Sequence, residues 1–122
     1  MKALFLFISF SFAAILSNAQ NVGIGTNTPH SSALLHVDLS LNNSKGVLVT
    51  GAYDVNGTVP NFGAGTRMFF YPGKSAFRVG RVFTDEWDNV NVGLASVAMG
   101  SGTTASGNNA TAFGFKTITL FL

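Results

Sequence analysis

The feature that most constrains this chain is a short sequence that repeats near its C-terminal end. Residues 96–100 read Ser-Val-Ala-Met-Gly, and residues 110–114 read Ala-Thr-Ala-Phe-Gly. A flexible Gly/Ser linker has a biased composition but no fixed register. The two stretches are fourteen residues apart, and a shorter Ala-x-Gly unit recurs every seven residues. Its residues are Ala98, Gly100, Ala105, Gly107, Ala112 and Gly114. Because large and small residues keep their places, the pattern predicts stacked coils of a β-solenoid.

We interpret the repeated alanines and glycines as architectural residues. Alanine fits a narrow interior, and glycine permits tight corners between short strands. Large apolar residues occupy alternate positions of the same units, at Val97, Met99 and Phe113. We expect this alternating set to face neighbouring chains in an assembly.

The repeats carry a family resemblance. The stretch from Ser96 to Thr117 resembles the head repeats of trimeric autotransporter adhesins (YadA-like heads), whose units read roughly Ser-x-Ala-x-Gly and then Ala-x-Gly. The resemblance implies a left-handed parallel β-roll, with three chains packed side by side. It also implies a non-enzymatic role on the surface of Gram-negative bacteria, with a host matrix protein or another surface as ligand. Residues 21–37 and 44–51 are similar to the start of secreted bacterial fibre proteins that carry these repeats.

The repeat region departs from that family in its length. About one and a half units fall within 96–117, whereas a solenoid generally needs three or more to bury a continuous core. Residues 118–122 then read as a divergent tail. We therefore expect a truncated member of the family, or an early fragment of a longer fibre.

The N-terminal residues have the layout of a secretory signal peptide. Lys2 is followed by an apolar run from Ala3 to Leu16 and by small residues that end at Ala19. The rival interpretation is a membrane anchor, but the run falls short of the roughly 20 residues that span a bilayer. We expect a signal peptide at 1–19, export to the cell surface, outer membrane or extracellular space, and no transmembrane span in the mature chain.

Residues 20–95 are predicted to be β-rich, which makes the mature chain all-β. Alternating leucines predict a half-buried strand from Leu35 to Leu41, and residues 46–51 predict a second, short strand. Farther on, residues 67–71 and 75–83 predict a hairpin with Pro72-Gly73 at the centre of a type II turn. Phe77, Val79 and Phe83 would share one face of its second strand. Short N-terminal strands and a hairpin thus precede the start of the β-roll.

Little in the sequence points to chemistry. The chain has no cysteine, and its net charge of +2 comes from dispersed residues, so neither a thiolate metal site nor a nucleic-acid surface is indicated. His30 and His36 lack a carboxylate in ligand spacing, and the Asp54–Gly57 stretch reads as an Asx-type turn because it lacks the closing Glu of a calcium loop. We predict no catalytic residues, no cofactor and no metal.

A candidate ligand patch lies near Trp87. Carboxylates surround this tryptophan at Asp85, Glu86 and Asp88, and Arg78 and Arg81 precede it. Such a cluster could serve a secreted carbohydrate-binding or hydrolytic module, although acidic turns are common. The seven aromatic residues of this region favour core or trimer-interface packing over a ligand patch; they are Phe62, Phe69, Phe70, Tyr71, Phe77, Phe83 and Trp87.

The sequence therefore favours a non-enzymatic, secreted or cell-surface adhesin or fibre component that displays a trimeric head. Its partners would be two further copies of the chain and a host or surface ligand, protein or glycan. Two alternatives remain open at this stage. One is the carbohydrate-binding module, and the other is a non-functional remnant of a longer fibre protein.

Overall fold

The computed structural model describes residues 21–41 and 44–120. Within these residues the chain is all-β, as predicted, and helical structure is limited to a 3₁₀ turn at Asn89–Asn91. The expected signal peptide lies outside the described residues. The strands in chain order are β1 (Val22–Ile24), β2 (Leu35–Val37), β3 (Gly65–Tyr71), β4 (Ala76–Val82), β5 (Val97–Ser101), β6 (Thr104–Ala105), β7 (Thr111–Phe115) and β8 (Ile118–Thr119).

The chain divides into two compact units, Met1–Leu48 and Val49–Leu122. In the first unit β1 and β2 pair in parallel, with Val22 opposite Leu35. The predicted strand ends at Val37 and not at Leu41, because the Asp38 carboxylate accepts the Ser40 N–H at 2.9 Å and turns the chain. The prediction of a half-buried leucine face is wrong, since Leu35 and Leu41 are both exposed.

The second strand predicted in this region is also wrong. Residues 46–50 form no strand, and the apolar side chains Val47, Leu48 and Val49 are exposed. Three consecutive apolar residues raise local β-propensity, but a strand exists only where a neighbour satisfies its main-chain groups. By contrast, the predicted Asx turn is confirmed, since Asp54 Oδ1 accepts the Asn56 N–H at 2.9 Å.

The second unit begins with the predicted hairpin. Strands β3 and β4 are antiparallel, with Tyr71 opposite Ala76, so the hairpin prediction is confirmed. The predicted turn type is wrong. The Pro72 carbonyl accepts the Ser75 N–H at 3.0 Å, which puts Gly73 and Lys74 at the centre, and the positive φ of 52° falls on Ser75. The Tyr71 ring lies over Gly73, where an added Cβ would come within 3.1 Å of it.

Parallel ladders join the repeats to one another and to the hairpin. Strands β3, β4, β5 and β7 form one sheet in that order, and β6 and β8 form a two-stranded sheet. In the first sheet Val97 pairs with Thr111, and in the second Thr104 pairs with Ile118, so residues fourteen positions apart are neighbours in both. The pairing of β4 with β5 was not predicted. Ile118 also extends the second ladder, where the sequence predicted a divergent tail.

Phe77 and Val79 share one face of β4, as predicted, and the other face points into the protein. Ala76, Arg78 and Val82 are buried, whereas Phe77 and Val79 are only half-buried. On its inward face β4 lies beside Ala98 of β5, which in turn pairs with Ala112 of β7, and both alanines are fully buried. The buried clusters are Ala98, Ala105, Ala110 and Ala112, and beside them Val59, Ala76, Val82, Trp87 and Val92.

Glycines permit the close approach of successive strands. Gly80, Gly100 and Gly114 stand side by side within β4, β5 and β7 at φ values of 134°, 128° and 114°. An added Cβ on Gly80 would lie 1.8 Å from the Gly100 carbonyl oxygen, and one on Gly100 would lie 1.9 Å from that of Gly114. These glycines therefore act within strands, where the sequence predicted corner positions.

The corners themselves are formed mostly by other residues. Ser75, Ala95, Asn109 and Lys116 adopt positive φ values between 50° and 58°. Ala95 and Asn109 are fourteen residues apart and donate their N–H groups to the carbonyls of Lys74 and Leu94, each at 2.7 Å. An equivalent hydrogen bond thus joins successive corners, because the turn residues Lys74 and Leu94 of the preceding corner supply the acceptors.

We predict that Gly100→Ala lowers the free energy of unfolding by roughly 3 kcal/mol, from the clash with Gly114 and the strained backbone together. Gly63→Ala is the matched control, because Gly63 has a φ of 64° but its Cβ would meet nothing within 4 Å. This control should lose only about 1 kcal/mol. Urea unfolding followed by circular dichroism measures both, and equal losses would contradict the role given to close strand approach.

Candidate functional site: the outer face of the four-stranded sheet

The sheet formed by β3, β4, β5 and β7 has one face that points away from the alanine interior. We call it the outer face. A row of four apolar side chains crosses it in register, because each residue pairs with the next on the adjoining strand: Met68, Val79, Met99 and Phe113. At the two ends of the row, Met68 is 76% exposed and Phe113 is 69% exposed. Large exposed apolar side chains in contiguous rows are typical of interaction surfaces.

A second row runs beside the first. It contains Phe70, Phe77, Val97 and Thr111, paired in the same order across the sheet. The third row is different in character, since it contains Arg81, Ser101 and Phe115 and so brings a charge to one end of the face. The outer face is thus apolar over two rows and cationic at the ends of β4, β5 and β7.

The structure places the three predicted interface residues on this face. Val97 and Met99 are half-buried, and Phe113 is exposed. Their contact with neighbouring chains stays a prediction. Sequence reasoning missed Met68 of the hairpin, and it named Phe70 only among the aromatic residues expected in the core or the trimer interface. The alternation of these residues with Arg67 and Phe69 could have revealed their place on this face, because period-two alternation assigns them to one face of β3.

The candidate ligand patch does not form one surface. The Trp87 ring is buried, and its Nε1–H donates to the Thr103 carbonyl at 2.9 Å. Arg78 is completely buried, whereas Arg81 is exposed. Of the three residues proposed to meet a ligand, Arg81 is therefore the one that solvent reaches. The patch is corrected accordingly, because Trp87 and Arg78 are used inside the protein.

The buried Arg78 guanidinium connects three segments of the chain through hydrogen bonds. One terminal nitrogen (Nη1) donates to the carbonyls of Phe77 and Ser96, at 2.9 and 2.8 Å. The other (Nη2) donates to the Ser96 hydroxyl at 2.8 Å and to the Ala105 carbonyl at 3.1 Å. Burial lowers the pKa of Arg78 to about 10, so the guanidinium is charged at neutral pH. The acceptors on β4, on the corner at Ser96 and on β6 are thereby held together.

Lys74 is a second buried cation that binds main-chain oxygens. Its Nζ donates to the carbonyls of Asn89 and Val92, at 2.7 and 2.8 Å. Burial lowers the pKa of Lys74, and the nearby charge of Arg78 lowers it further. The lysine therefore ties the hairpin turn to the 3₁₀ turn at Asn89–Asn91.

The carboxylates around Trp87 cap the local turns. Burial alone would raise the pKa of Glu86, but hydrogen bonds from the N–H groups of Thr84 and Phe83, at 2.8 and 3.0 Å, hold that pKa below its ordinary value. Asp85 accepts the Thr84 hydroxyl at 3.0 Å, and Asp88 accepts the Asn61 amide at 3.0 Å. These oxygens are engaged in the fold, which favours the interpretation of an acidic turn over that of a catalytic pair.

Both histidine side chains accept hydrogen bonds from main-chain N–H groups. His36 Nδ1 accepts the His30 N–H at 3.1 Å, and His30 Nδ1 accepts the Ser32 N–H at 3.2 Å. Among the residues that the structure describes, no group of three or more His, Cys, Asp or Glu side chains has the arrangement of a metal site. Within the same residues no helix has the length and apolar character needed to cross a membrane.

The geometry defines an all-β protein with an in-register parallel repeat of fourteen residues. Comparison with known families agrees, since residues 92–117 match the model of the YadA head domain repeat in two copies. The predicted resemblance to the heads of trimeric autotransporter adhesins is thus confirmed for this segment, which begins before the predicted Ser96. The matched family is a non-enzymatic adhesin domain. Neither a curated protein nor a solved structure matches the chain.

We predict that Arg78→Met lowers the free energy of unfolding by roughly 3 kcal/mol, because buried carbonyls lose their donors while the side-chain volume is retained. Arg81→Met on the exposed side of the same strand is the matched control, with an expected change within about 0.5 kcal/mol. Chemical denaturation measures both. Similar values for the two variants would contradict the fastening role of Arg78.

We further predict an alkaline gain in stability that depends on Lys74. Its pKa lies below the ordinary 10.5 in the folded state, so the unfolded chain binds more protons between the lowered pKa and 10.5. The free energy of unfolding therefore rises with pH across that window. Lys74→Met should remove this rise, which is measured as the difference between the two proteins in urea titrations from pH 8 upward. Parallel pH profiles for the two proteins would refute the assignment.

Proposed function

We propose that the chain is an exported, non-enzymatic component of a bacterial surface adhesin or fibre, in which the repeats form a trimeric head. The match at residues 92–117 supports the adhesin class. Export is supported by the sequence of residues 1–19. Weak contacts on linked copies would gain strength through their high effective concentration.

The head would be a left-handed parallel β-roll, with its first rung at β4. The register supports this proposal, since both sheets pair residues fourteen positions apart. The alanine interior also supports it, because Ala98, Ala105 and Ala112 are fully buried and allow two sheets to lie close together. In this scheme Gly100, Gly107 and Gly114 recur so that each coil can approach the next.

The observation that carries the trimer proposal is the apolar outer face. An isolated chain would leave Met68 and Phe113 in water on either side of the half-buried Val79 and Met99. Covering a side chain of this size contributes about 1.5–3 kcal/mol. Three copies that pack outer face to outer face would bury these rows, with Val97, Met99 and Phe113 in the contact.

The alternatives have less support. A carbohydrate-binding module built on Trp87 would need an accessible ring, and this ring is buried. A defective remnant would be expected to lose the regularity of its repeats. Instead the two ladders keep one register, and the described part of the second unit has continuous buried clusters.

The trimer is tested by Phe113→Glu, which introduces a charge at the end of the apolar row. We expect the purified chain to be a trimer by light scattering coupled to gel filtration, and the variant to be a monomer with an unchanged circular dichroism spectrum. A trimer of the variant would have to bury the glutamate charge in the interface, and removing that charge from water is unfavourable. Val90→Glu is the control, since Val90 is 81% exposed on the 3₁₀ turn and lies off the outer face.

Two results would overturn the trimer proposal. One is a monomeric parent chain, and the other is an equal loss of assembly in the two variants. If Phe113→Glu were still a trimer, the interface would have to lie elsewhere than on the outer face.

A further inference from the structure

The cationic end of the outer face opens into a shallow cleft. Its walls are Phe83, Thr84, Glu86, Phe115 and Lys116, and its volume is about 350 Å³. We call it the aromatic cleft. All of these residues belong to one chain and to the second unit, so the cleft is complete without any neighbouring copy.

Two phenylalanine rings shape the cleft. The centroids of Phe83 and Phe115 are 6.4 Å apart, and the ring planes are nearly perpendicular at 87°. Phe115 is 69% exposed, so a ring face is open to a ligand. The negative face of an aromatic ring attracts the weakly positive C–H groups of an apolar surface.

A cationic side chain lies over each of the two rings. The Arg81 guanidinium carbon lies 4.7 Å from the centroid of Phe83, and the Lys116 Nζ lies 5.5 Å from that of Phe115. In the part of the chain that the structure describes, neither cation is paired with a carboxylate. The Glu86 carboxylate is the acid of the cleft, and it is already engaged by the N–H groups of Phe83 and Thr84.

This combination selects for a particular ligand chemistry. The two rings favour a flat apolar face, and the two cations favour an anion beside it. A sugar ring with a carboxylate or sulfate group has both on one rigid unit. An acidic peptide has its carboxylates on flexible side chains, and their ordering would cost conformational entropy. A neutral sugar would leave both cations unused.

We propose that the aromatic cleft binds an anionic saccharide, whose pyranose ring stacks on Phe115 and whose carboxylate or sulfate group contacts Arg81 and Lys116. The site differs from the candidate patch at Trp87, because the Phe115 ring is exposed whereas the Trp87 ring is buried. The inference supplies a ligand class for the proposed adhesin, but it does not depend on the trimer. A fibre with several copies would repeat the cleft and raise its avidity.

The test is isothermal titration of the purified chain with three oligosaccharides. A heparin-derived hexasaccharide carries sulfate and carboxylate, hexagalacturonate carries carboxylate alone, and maltohexaose is neutral. We expect the two anionic probes to bind at least about tenfold more tightly than maltohexaose, since charge-assisted contacts are the stronger ones. The difference should shrink as the salt concentration rises from about 0.05 to about 0.5 M. Relative affinity for the two anionic probes identifies the preferred acid group.

Variants locate the site. Arg81→Gln, Lys116→Gln and Phe115→Ala should each weaken the binding of the anionic probes by about five- to tenfold. Arg67→Gln and Phe62→Ala are the matched controls, because Arg67 lies over the Phe62 ring at 5.5 Å in a pair of the same kind outside the cleft. The controls should bind as the parent does, and circular dichroism checks the fold of each variant.

Specific results would overturn the inference. Equal affinity for maltohexaose would exclude anion selection, and equal losses in the cleft and control variants would exclude the cleft. Failure of every oligosaccharide to bind would refute the ligand class. Phe113→Glu separates this inference from the trimer proposal, because a monomer that still binds the anionic probes would show that the cleft acts within one chain.

Discussion

The second unit depends on how closely its successive strands can approach. Paired residues of β5 and β7 are fourteen positions apart and those of β4 and β5 are twenty apart, and Gly80, Gly100 and Gly114 stand in register across the three strands. A side chain at Gly100 would collide with the carbonyl of the next strand. The interior beside β5, β6 and β7 also contains small side chains, since Ala98, Ala105 and Ala112 are fully buried. Small residues are therefore needed both between neighbouring strands of a sheet and in the interior that the sheet covers.

This narrow interior explains the character of the surface. In β4, β5 and β7 the inward positions accept mostly small residues, so the larger apolar side chains must take the outward ones. The outer face is consequently apolar because the interior is small. In a conventional sandwich those side chains would form the core. Here a chain that keeps its strands close together gains an exposed apolar face, which the proposed trimer would cover.

The sequence predicted the parts of this fold that depend on local or repeating patterns. The hairpin and the fourteen-residue register were predictable, because turn residues and fixed spacing act along the chain. The orientation of β4 was not. By hydrophobicity Phe77 belongs inside and Arg78 outside, but the buried Arg78 donates hydrogen bonds to the carbonyls of Ser96 and Ala105, which are far away in sequence. The aromatic cleft was missed for a related reason, since Phe83 and Phe115 are brought together by the stacking of strands far apart in sequence.

Arg78 also explains where the alanine interior begins. It occupies on β4 the position that Ala98 and Ala112 occupy on the next two strands. Ser96 accepts a hydrogen bond from Arg78, whereas its counterpart one repeat later is Ala110, which has no hydroxyl to offer. The Arg78 guanidinium donates to the carbonyls of Ser96 and Ala105, and the Ser96 hydroxyl donates to that of Gly93, whereas alanine occupies the equivalent positions of the next strand. The change from Ser96 to Ala110 within the repeat follows from this, because a buried hydroxyl is favourable only where a partner can reach it.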